Sequence, residues 1–184
     1  MIGADFAEVL AAAQSGDEMA FARLWRDGNP VLLRYLRVIA PYAVEDLAAE
    51  TWLQVVRGIA RFEGDESAWR AWLFTTARRR AVDEARRRAR RPTAVLDDMP
   101  PARLPAEGDI ADLVIEGFST RAALELLHSL PSGQAEVIAL RVIAGLDTET
   151  VARMLDSTPG AVRVAAHRGL RRLAQILAGT GVTL

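Results

Sequence analysis

Apolar residues recur at three- and four-residue spacing through most of the chain, which is the pattern of amphipathic α-helices. In the amino-terminal part, Gly16 predicts a stop and Asp17 a new N-cap. The run Gly28–Pro30 predicts a restart or a bend, and Ser67 is a candidate cap for the helix that follows it. The predicted helices cover Asp5–Ala13, Glu18–Ile39, Val44–Phe62 and Ala68–Arg91.

The same periodicity returns in the carboxy-terminal part, and no alternating strand pattern competes with it. The last two predicted helices are joined by a short turn, which is the spacing of a helix-turn-helix. We expect Val151, Ala152 and Leu155 of the first to pack against Val162 and Leu170 of the second. The predicted helices here cover Arg121–Ser129, Pro131–Ala144, Thr148–Leu155 and Pro159–Ala178.

Between these parts, residues 92–119 hold four prolines, two glycines and six acidic residues with little periodicity. A stretch of this length without firm structure indicates a domain boundary. The predicted fold class is therefore all-α, with two small helical domains joined by an acidic, proline-containing linker. The predicted limits are 1–92 for the first domain, 93–119 for the linker and 120–184 for the second domain.

Composition narrows the function classes. With 184 residues, 51% hydrophobic and 26% charged, the chain can bury a core. It has no cysteine, which excludes disulfides, thiolate metal sites and a thiol nucleophile. It shows neither a secretory leader nor a run of about 20 apolar residues, so we expect a cytoplasmic protein without membrane insertion.

The net charge of −1 hides an alternation along the chain. Residues 67–91 hold nine arginines against two acids, whereas residues 1–66 and 92–119 are both acidic, and no basic residue is a lysine. Concentrated arginine between acidic flanks indicates a localised anionic partner. A solvated helix face is the alternative interpretation.

Tryptophan accompanies the arginines of the fourth predicted helix. Arginine binds phosphates and aromatic rings stack on unpaired bases, so this combination is typical of a surface for single-stranded nucleic acid. The alternative, that Trp72 belongs to the core, remains open. The candidate residues are Trp69, Arg70, Trp72, Arg78 and Arg79.

The last predicted helix carries long hydrogen-bond donors on one face and capping groups at its amino end, as a helix that reads duplex DNA requires. A plain helical bundle with a basic tail is the alternative. The candidate residues are Ser157, Thr158, Arg163, His167, Arg168 and Arg171.

Asp46, Glu50 and Gln54 lie four residues apart and form a polar stripe along the third predicted helix. A solvated face is the default interpretation. No histidine lies nearby and the stripe does not converge on a pocket, so we expect neither a catalytic nor a metal site.

Several segments resemble the sigma factors of bacterial RNA polymerase. Region 2 of these proteins is similar to the runs Asp46–Trp52, Arg61–Gly64, Trp69–Arg78 and Asp83–Arg87. Region 4 is similar to Leu130–Arg141 and the helix-turn-helix after it. The absence of an intermediate region 3 domain points to the extracytoplasmic-function (ECF) group.

The resemblance implies a non-enzymatic transcription initiation factor without a cofactor, whose partners are core RNA polymerase, promoter DNA and an anti-sigma factor. It implies that the stripe Asp46, Glu50 and Gln54 docks on the clamp helices of the β′ subunit, and that region 4 meets the β flap. The arginine- and tryptophan-bearing helix would melt and hold the minus-ten element, and the last helix would read the minus-thirty-five element.

Two positions depart from the pattern of the family. Ala49 replaces a usual glutamine beside the polar stripe. Val164 and Ala165 follow Arg163 where the family usually has polar or basic residues. Val164 cannot donate a hydrogen bond, so we include it among the predicted minus-thirty-five contacts as an apolar contact with the methyl group of thymine. This implies a promoter sequence different from the one that the usual residues of the family read.

Two other classes of function stay open. A conventional DNA-binding regulator would use only the carboxy-terminal half, often as a dimer. An interaction protein would bind polymerase without opening DNA, which the Val164–Ala165 pair keeps possible. An enzyme is disfavoured, since His128 and His167 lie in different helices and no lysine is present for a phosphate loop.

Overall fold

Helices make up all the regular secondary structure in residues 2–90 and 122–179, the two ranges that the computed structural model describes. Short 3-10 turns occur at Gly3–Asp5 and Ile59–Arg61. The helices are α1 (Phe6–Gln14), α2 (Glu18–Ile39), α3 (Val44–Gly58), α4 (Glu66–Arg90), α5 (residues 122–128), α6 (Ser132–Ile138), α7 (Thr148–Met154) and α8 (Pro159–Gly179). The predicted all-α fold is confirmed within these ranges.

The first half, residues 2–90, is built around α2, which packs against α1, α3 and α4. Leu24, Leu32 and Leu36 of α2 are completely buried, as the three- and four-residue spacing requires. The predicted N-cap is confirmed, because the Asp17 carboxylate accepts hydrogen bonds from two backbone amides of the first turn.

Helix α2 runs through Pro30 without the restart that the sequence suggested. The two residues before the proline, Gly28 and Asn29, contact neighbouring helices. Gly28 leaves room for α3 and α4, since a Cβ there would lie 3.2 Å from both Trp52 and Leu73. Asn29 accepts a hydrogen bond from the Trp52 indole at 3.0 Å. Packing around the proline thus offsets the backbone hydrogen bond that it removes.

Helix α4 is capped by Asp65 rather than by Ser67. The Asp65 carboxylate accepts from the amide of Ala68 at 2.8 Å, and the helix begins at Glu66. The Glu66 carboxylate accepts from the amides of Ile2 and Gly3. The first turn of α4 therefore also holds Ile2 and Gly3 in place.

The second half, residues 122–179, contains the helix-turn-helix pair α7 and α8 packed on α6. The predicted helix Pro131–Ala144 is present as α6 followed by a π-helical segment, Ala139–Ile143. Gly145 ends that segment with a φ of 66°, a conformation that glycine adopts without strain.

The two halves contact each other, because α2 packs against α6 and the π-helical segment. The predicted linker, 93–119, lies outside the described residues. Among the helices that are described, none has the length and apolar character needed to cross a membrane.

Candidate functional site

The helix-turn-helix is ordered by caps on both of its helices. Asp147 precedes α7 and accepts from the Thr150 amide at 2.8 Å and the Thr150 hydroxyl at 2.7 Å. Thr158 precedes α8, and its hydroxyl accepts from the Ala161 amide at 3.2 Å. Val151 and Val162 are buried between the helices, as predicted. The Thr158 cap fixes the amino end of α8, and it is from this end that recognition helices in general read DNA.

Replacing Asp147 with alanine is expected to lower the free energy of unfolding of the second half by about 0.5–1 kcal/mol at pH 7. The hydrogen bonds from the Thr150 amide and hydroxyl lower the pKa of Asp147 below its ordinary value of 3.8. The contribution of the carboxylate is thus complete above that value and is lost as the pH falls through the lower pKa of the folded protein.

Urea unfolding of the wild type and of D147A at pH 7 and near pH 3 measures this difference. The matched control is Asp147→Asn, which keeps an acceptor oxygen that does not titrate. A gap between wild type and D147A that is as large in acid as at pH 7 would contradict the role of the carboxylate.

The predicted duplex-reading residues all lie on the surface of α8 and the turn before it. They are Ser157, Thr158, Arg163, Val164, His167, Arg168 and Arg171, and every one of them is exposed. Arg163 lies 3.9 Å from Glu149 of α7, with both side chains mostly exposed. The structure therefore leaves these side chains accessible to a ligand.

The buried face of α8 differs from the predicted one at one position. Leu170 was expected to pack inward, but it is 51% exposed. Gly169 is buried in its place, and a Cβ at that position would lie only 2.6 Å from the Ile138 Cδ1 atom of α6. The close approach of the two helices at Gly169 turns Leu170 outward.

The predicted minus-ten residues on α4 fall into a buried and a surface group. Trp69 is only 3% exposed and packs against Phe6 and Phe62, with ring centroids 6.3 and 5.5 Å away. Its ring belongs to the core because it fills the space between α1, α4 and the turn before α4. We therefore remove Trp69 from the predicted DNA contacts.

Trp72 is half-buried and stacks on Phe62, with centroids 5.2 Å apart and an interplanar angle of 23°. It also covers Gly58, where a Cβ would come within 2.8 Å of the ring. One face of the indole is thus occupied within the protein, and only the remaining surface is available to a base.

The three predicted arginines of α4 have different surroundings. Arg79 is exposed. Arg78 is half-buried, and its Nε atom lies 2.8 Å from a carboxylate oxygen of Glu136 on α6. Arg70 extends toward Gly145, at which a Cβ would lie 3.7 Å from the Arg70 Nη1 atom. Two of the three arginines therefore lie against the second half.

The polar stripe on α3 lies at the surface, with Asp46 exposed and Glu50 and Gln54 half-buried. With its amide oxygen turned toward α4, Gln54 accepts from Arg80 at 2.7 Å and from Arg57 at 3.2 Å. Among the described residues, no cluster of histidine, aspartate and glutamate side chains could hold a metal ion.

Sequence reasoning missed an apolar residue within this stripe. Leu53 is 55% exposed. It lies seven residues after Asp46 and three after Glu50, so the helical register places it on the same face as both carboxylates. Val56, also exposed, lies one turn away. The sequence signal that could have found it is a leucine at a position where the helical pattern of the stripe expects a polar residue.

Comparison with known families matches both halves of the chain. Residues 20–91 match the family described as Sigma-70 region 2, and residues 120–173 match Sigma-70, region 4. These two segments cover more than half of the chain and follow the order that the sequence predicted.

Proteins of similar sequence include the ECF RNA polymerase sigma factor SigD of Mycobacterium tuberculosis, which is 32% identical over 179 residues, or 94% of this chain and 84% of SigD. The ECF RNA polymerase sigma factor ShbA of Streptomyces griseus is 35% identical over 170 residues, or 88% of this chain and 89% of ShbA.

Two solved structures share the fold. One is CnrH in complex with the cytosolic domain of CnrY, with a TM-score of 0.63, 21% identity and coverage of 95% of this chain and 97% of CnrH. The other is the sigma factor RpoE in complex with the anti-sigma factor NepR from Bartonella quintana, with a TM-score of 0.61, 22% identity and coverage of 86% and 96%.

Proposed function

This chain belongs to the ECF sigma factors of RNA polymerase, and from that membership we propose that its two halves divide promoter recognition between α4 and α8 while α3 docks on core polymerase. The observation that carries the proposal is one chain with an arginine-rich helix, a helix-turn-helix with an exposed basic face, and an acidic stripe on a third helix.

The proposed polymerase contact is the exposed stripe of α3. Asp46 and Glu50 present carboxylates on this face, and Leu53 and Val56 add apolar surface beside them. An interface of this kind combines apolar contact area with charged groups that set orientation. The partner proposed for the stripe is the clamp-helix region of the β′ subunit, and the β flap is the partner proposed for the second half.

The proposed minus-ten contacts are Arg70, Trp72, Arg78 and Arg79 of α4. Guanidinium groups bind the phosphates of a single strand, and the free surface of the Trp72 indole stacks on an unpaired base. The minus-thirty-five contacts proposed on α8 and the turn before it are Ser157, Thr158, Arg163, Val164, His167, Arg168 and Arg171.

The domain limits proposed above remain 1–92 and 120–184, with a linker over 93–119. The family matches at 20–91 and 120–173 support both domains. We also propose regulation by an anti-sigma factor, because the relative RpoE of known structure is bound to one.

Transcription by core RNA polymerase of the source bacterium, with and without this protein, tests the proposal. With genomic DNA as template, we expect new transcript starts that share two upstream elements. Binding to core polymerase without new starts would instead favour an interaction protein. Failure to bind core polymerase would leave a regulator that acts through α8 alone.

Replacing Arg168 with alanine is expected to weaken holoenzyme binding to a promoter found in this way by about 1–3 kcal/mol, because an exposed donor that reads a base edge is lost. Fluorescence anisotropy with a labelled promoter duplex measures the change. On a duplex with its upstream element scrambled, R168A and wild type should bind alike. Equal losses on both duplexes would contradict base reading by Arg168.

A further inference from the structure

Arg88, in the last turn of α4, lies over the aromatic ring of Tyr42, which belongs to the turn between α2 and α3. The guanidinium carbon is 4.1 Å from the ring centroid, which is well within the range of a cation–π interaction. Tyr42 is 44% exposed, and Arg88 is exposed as well. The two residues thus form a cation–aromatic pair at the surface of the first half.

The turn that carries Tyr42 is fixed on both sides. The Ala43 amide donates to the carbonyl of Ala40 at 3.1 Å, which closes the turn. Pro41 restricts the backbone just before Tyr42. Ala40 and Val44, on either side of the turn, are 0% and 4% exposed. Tyr42 is therefore an exposed ring on a rigid support, and it restricts the position of the arginine above it.

The neighbouring arginines of α4 have different partners. Arg86 and Arg87 each pair with a carboxylate one turn earlier in the same helix, at 3.8 and 2.9 Å. Within the described part of the chain, Arg88 forms no ion pair and donates no hydrogen bond, and its contact is with the ring of Tyr42. A ring face attracts a cation without neutralising it, so the charge and the N–H donors of Arg88 remain available.

A fixed guanidinium group without a carboxylate partner favours the binding of an oxyanion. Arginine binds two oxygens of a phosphate through a pair of N–H donors. Ordering a long side chain on binding costs free energy, and a side chain that is already held avoids much of this cost. The surface formed by Tyr42 and Arg88 therefore fits a phosphate group.

DNA supplies phosphates along α4 if this helix binds the minus-ten element as proposed. Arg88 comes 16 residues after Trp72, or about 24 Å along the helix axis. This distance corresponds to about seven base pairs of duplex, so Arg88 lies beyond the unpaired base proposed for Trp72. The chain continues from this end of α4 to the second half, which is proposed to read the upstream element. We therefore expect the DNA at Arg88 to be the duplex upstream of the minus-ten element.

We propose that Tyr42 and Arg88 form a phosphate-binding site for this upstream duplex. Arg88 contacts the phosphate, and Tyr42 is a positioning residue that acts through Arg88. The assignment of the ligand to DNA rests on the proposed function of α4, whereas the pair itself does not.

Proton NMR of the free protein tests the pair without DNA. The ring current of Tyr42 shifts the side-chain protons of Arg88 upfield, and Arg88→Lys identifies the Nε–H signal by its loss. We expect Tyr42→Leu to move this signal to the position typical of exposed arginines, and Tyr42→Phe to leave it close to its wild-type position. An unchanged signal in Y42L, with the helices intact by circular dichroism, would overturn the pair.

The salt dependence of holoenzyme binding to a labelled promoter duplex tests the site. Arg88→Ala should weaken binding roughly three- to tenfold and lower the slope of log affinity against log salt by about one. Y42L keeps the charge, so it should weaken binding by roughly threefold with little change in slope, whereas Y42F should bind like the wild type. The double variant Y42L/R88A should bind no more weakly than R88A.

The matched control is Arg87→Ala in the same turn, which should change the affinity by less than about twofold because a carboxylate already neutralises Arg87. On a duplex that ends just upstream of the minus-ten element, R88A and wild type should bind alike. R88A binding like wild type on the full promoter, or losing as much on both duplexes, would overturn the site.

Weaker binding of R88A to core polymerase itself, with unchanged affinity of the assembled holoenzyme for DNA, would also overturn the site, since Arg88 would then contact polymerase. Failure of the proposed function is a separate result. It shows as an absence of new transcript starts with the wild-type protein, before any variant is compared.

Discussion

Leu53→Asp is expected to weaken the binding of this sigma factor to core RNA polymerase by roughly 10- to 100-fold. Leu53 is 55% exposed in the free chain and lies one turn after Glu50 on the proposed docking face of α3. Burying a leucine side chain at an interface contributes about 1.5–3 kcal/mol, which corresponds to that range of affinity. A buried aspartate without a partner adds a desolvation cost.

Titration of core polymerase with fluorescently labelled protein gives the affinity. Leu53→Met keeps an apolar side chain of similar volume and should bind like the wild type. Met19→Asp is the matched control, because Met19 is 71% exposed on α2 and lies outside the stripe. If L53D and the wild type bind core polymerase equally, the docking face does not include this part of α3.

Trp69→Ala is expected to lower the free energy of unfolding of the first half by about 3–5 kcal/mol. Trp69 contacts two phenylalanines and Trp72 in the core, so its removal leaves a large cavity. A loss of this size is a large part of the stability of a small domain, and partial unfolding at 37 °C is the expected consequence.

Urea unfolding followed by circular dichroism measures this loss. Arg79→Ala, on the exposed face of the same helix, should change the stability by less than about 0.5 kcal/mol. The assignment of Trp69 to the core would fail if W69A were as stable as the wild type while its affinity for a single-stranded oligonucleotide fell.

The helices were predictable from sequence because their apolar periodicity is strong and their ends carry local signals. The Asp17 cap was read correctly, since it depends only on neighbouring residues. The continuity of α2 through Pro30 was not predictable, because it depends on Trp52 and Leu73 from other helices. The exposure of Leu170 likewise follows from the close approach of α6 at Gly169.

The candidate site was predictable where exposure follows from helical register, as for the basic residues of α8. It was not predictable where a residue type has two common uses. A tryptophan in a basic helix serves either as a stacking surface or as core, and only the packing against Phe6 and Phe62 decides for Trp69. The pairing of Arg78 with Glu136 joins residues 58 positions apart, which no local pattern reveals.

The contact between Arg78 and Glu136 forms within a single molecule. An intramolecular equilibrium does not depend on the concentration of the protein, so neither dilution nor overproduction changes the fraction of chains in which this pair is formed. A ligand that binds only one of the two side chains does change that fraction, and its effect grows with its own free concentration. The occupancy of the pair therefore depends on the ligands that the protein meets and not on the amount of the protein.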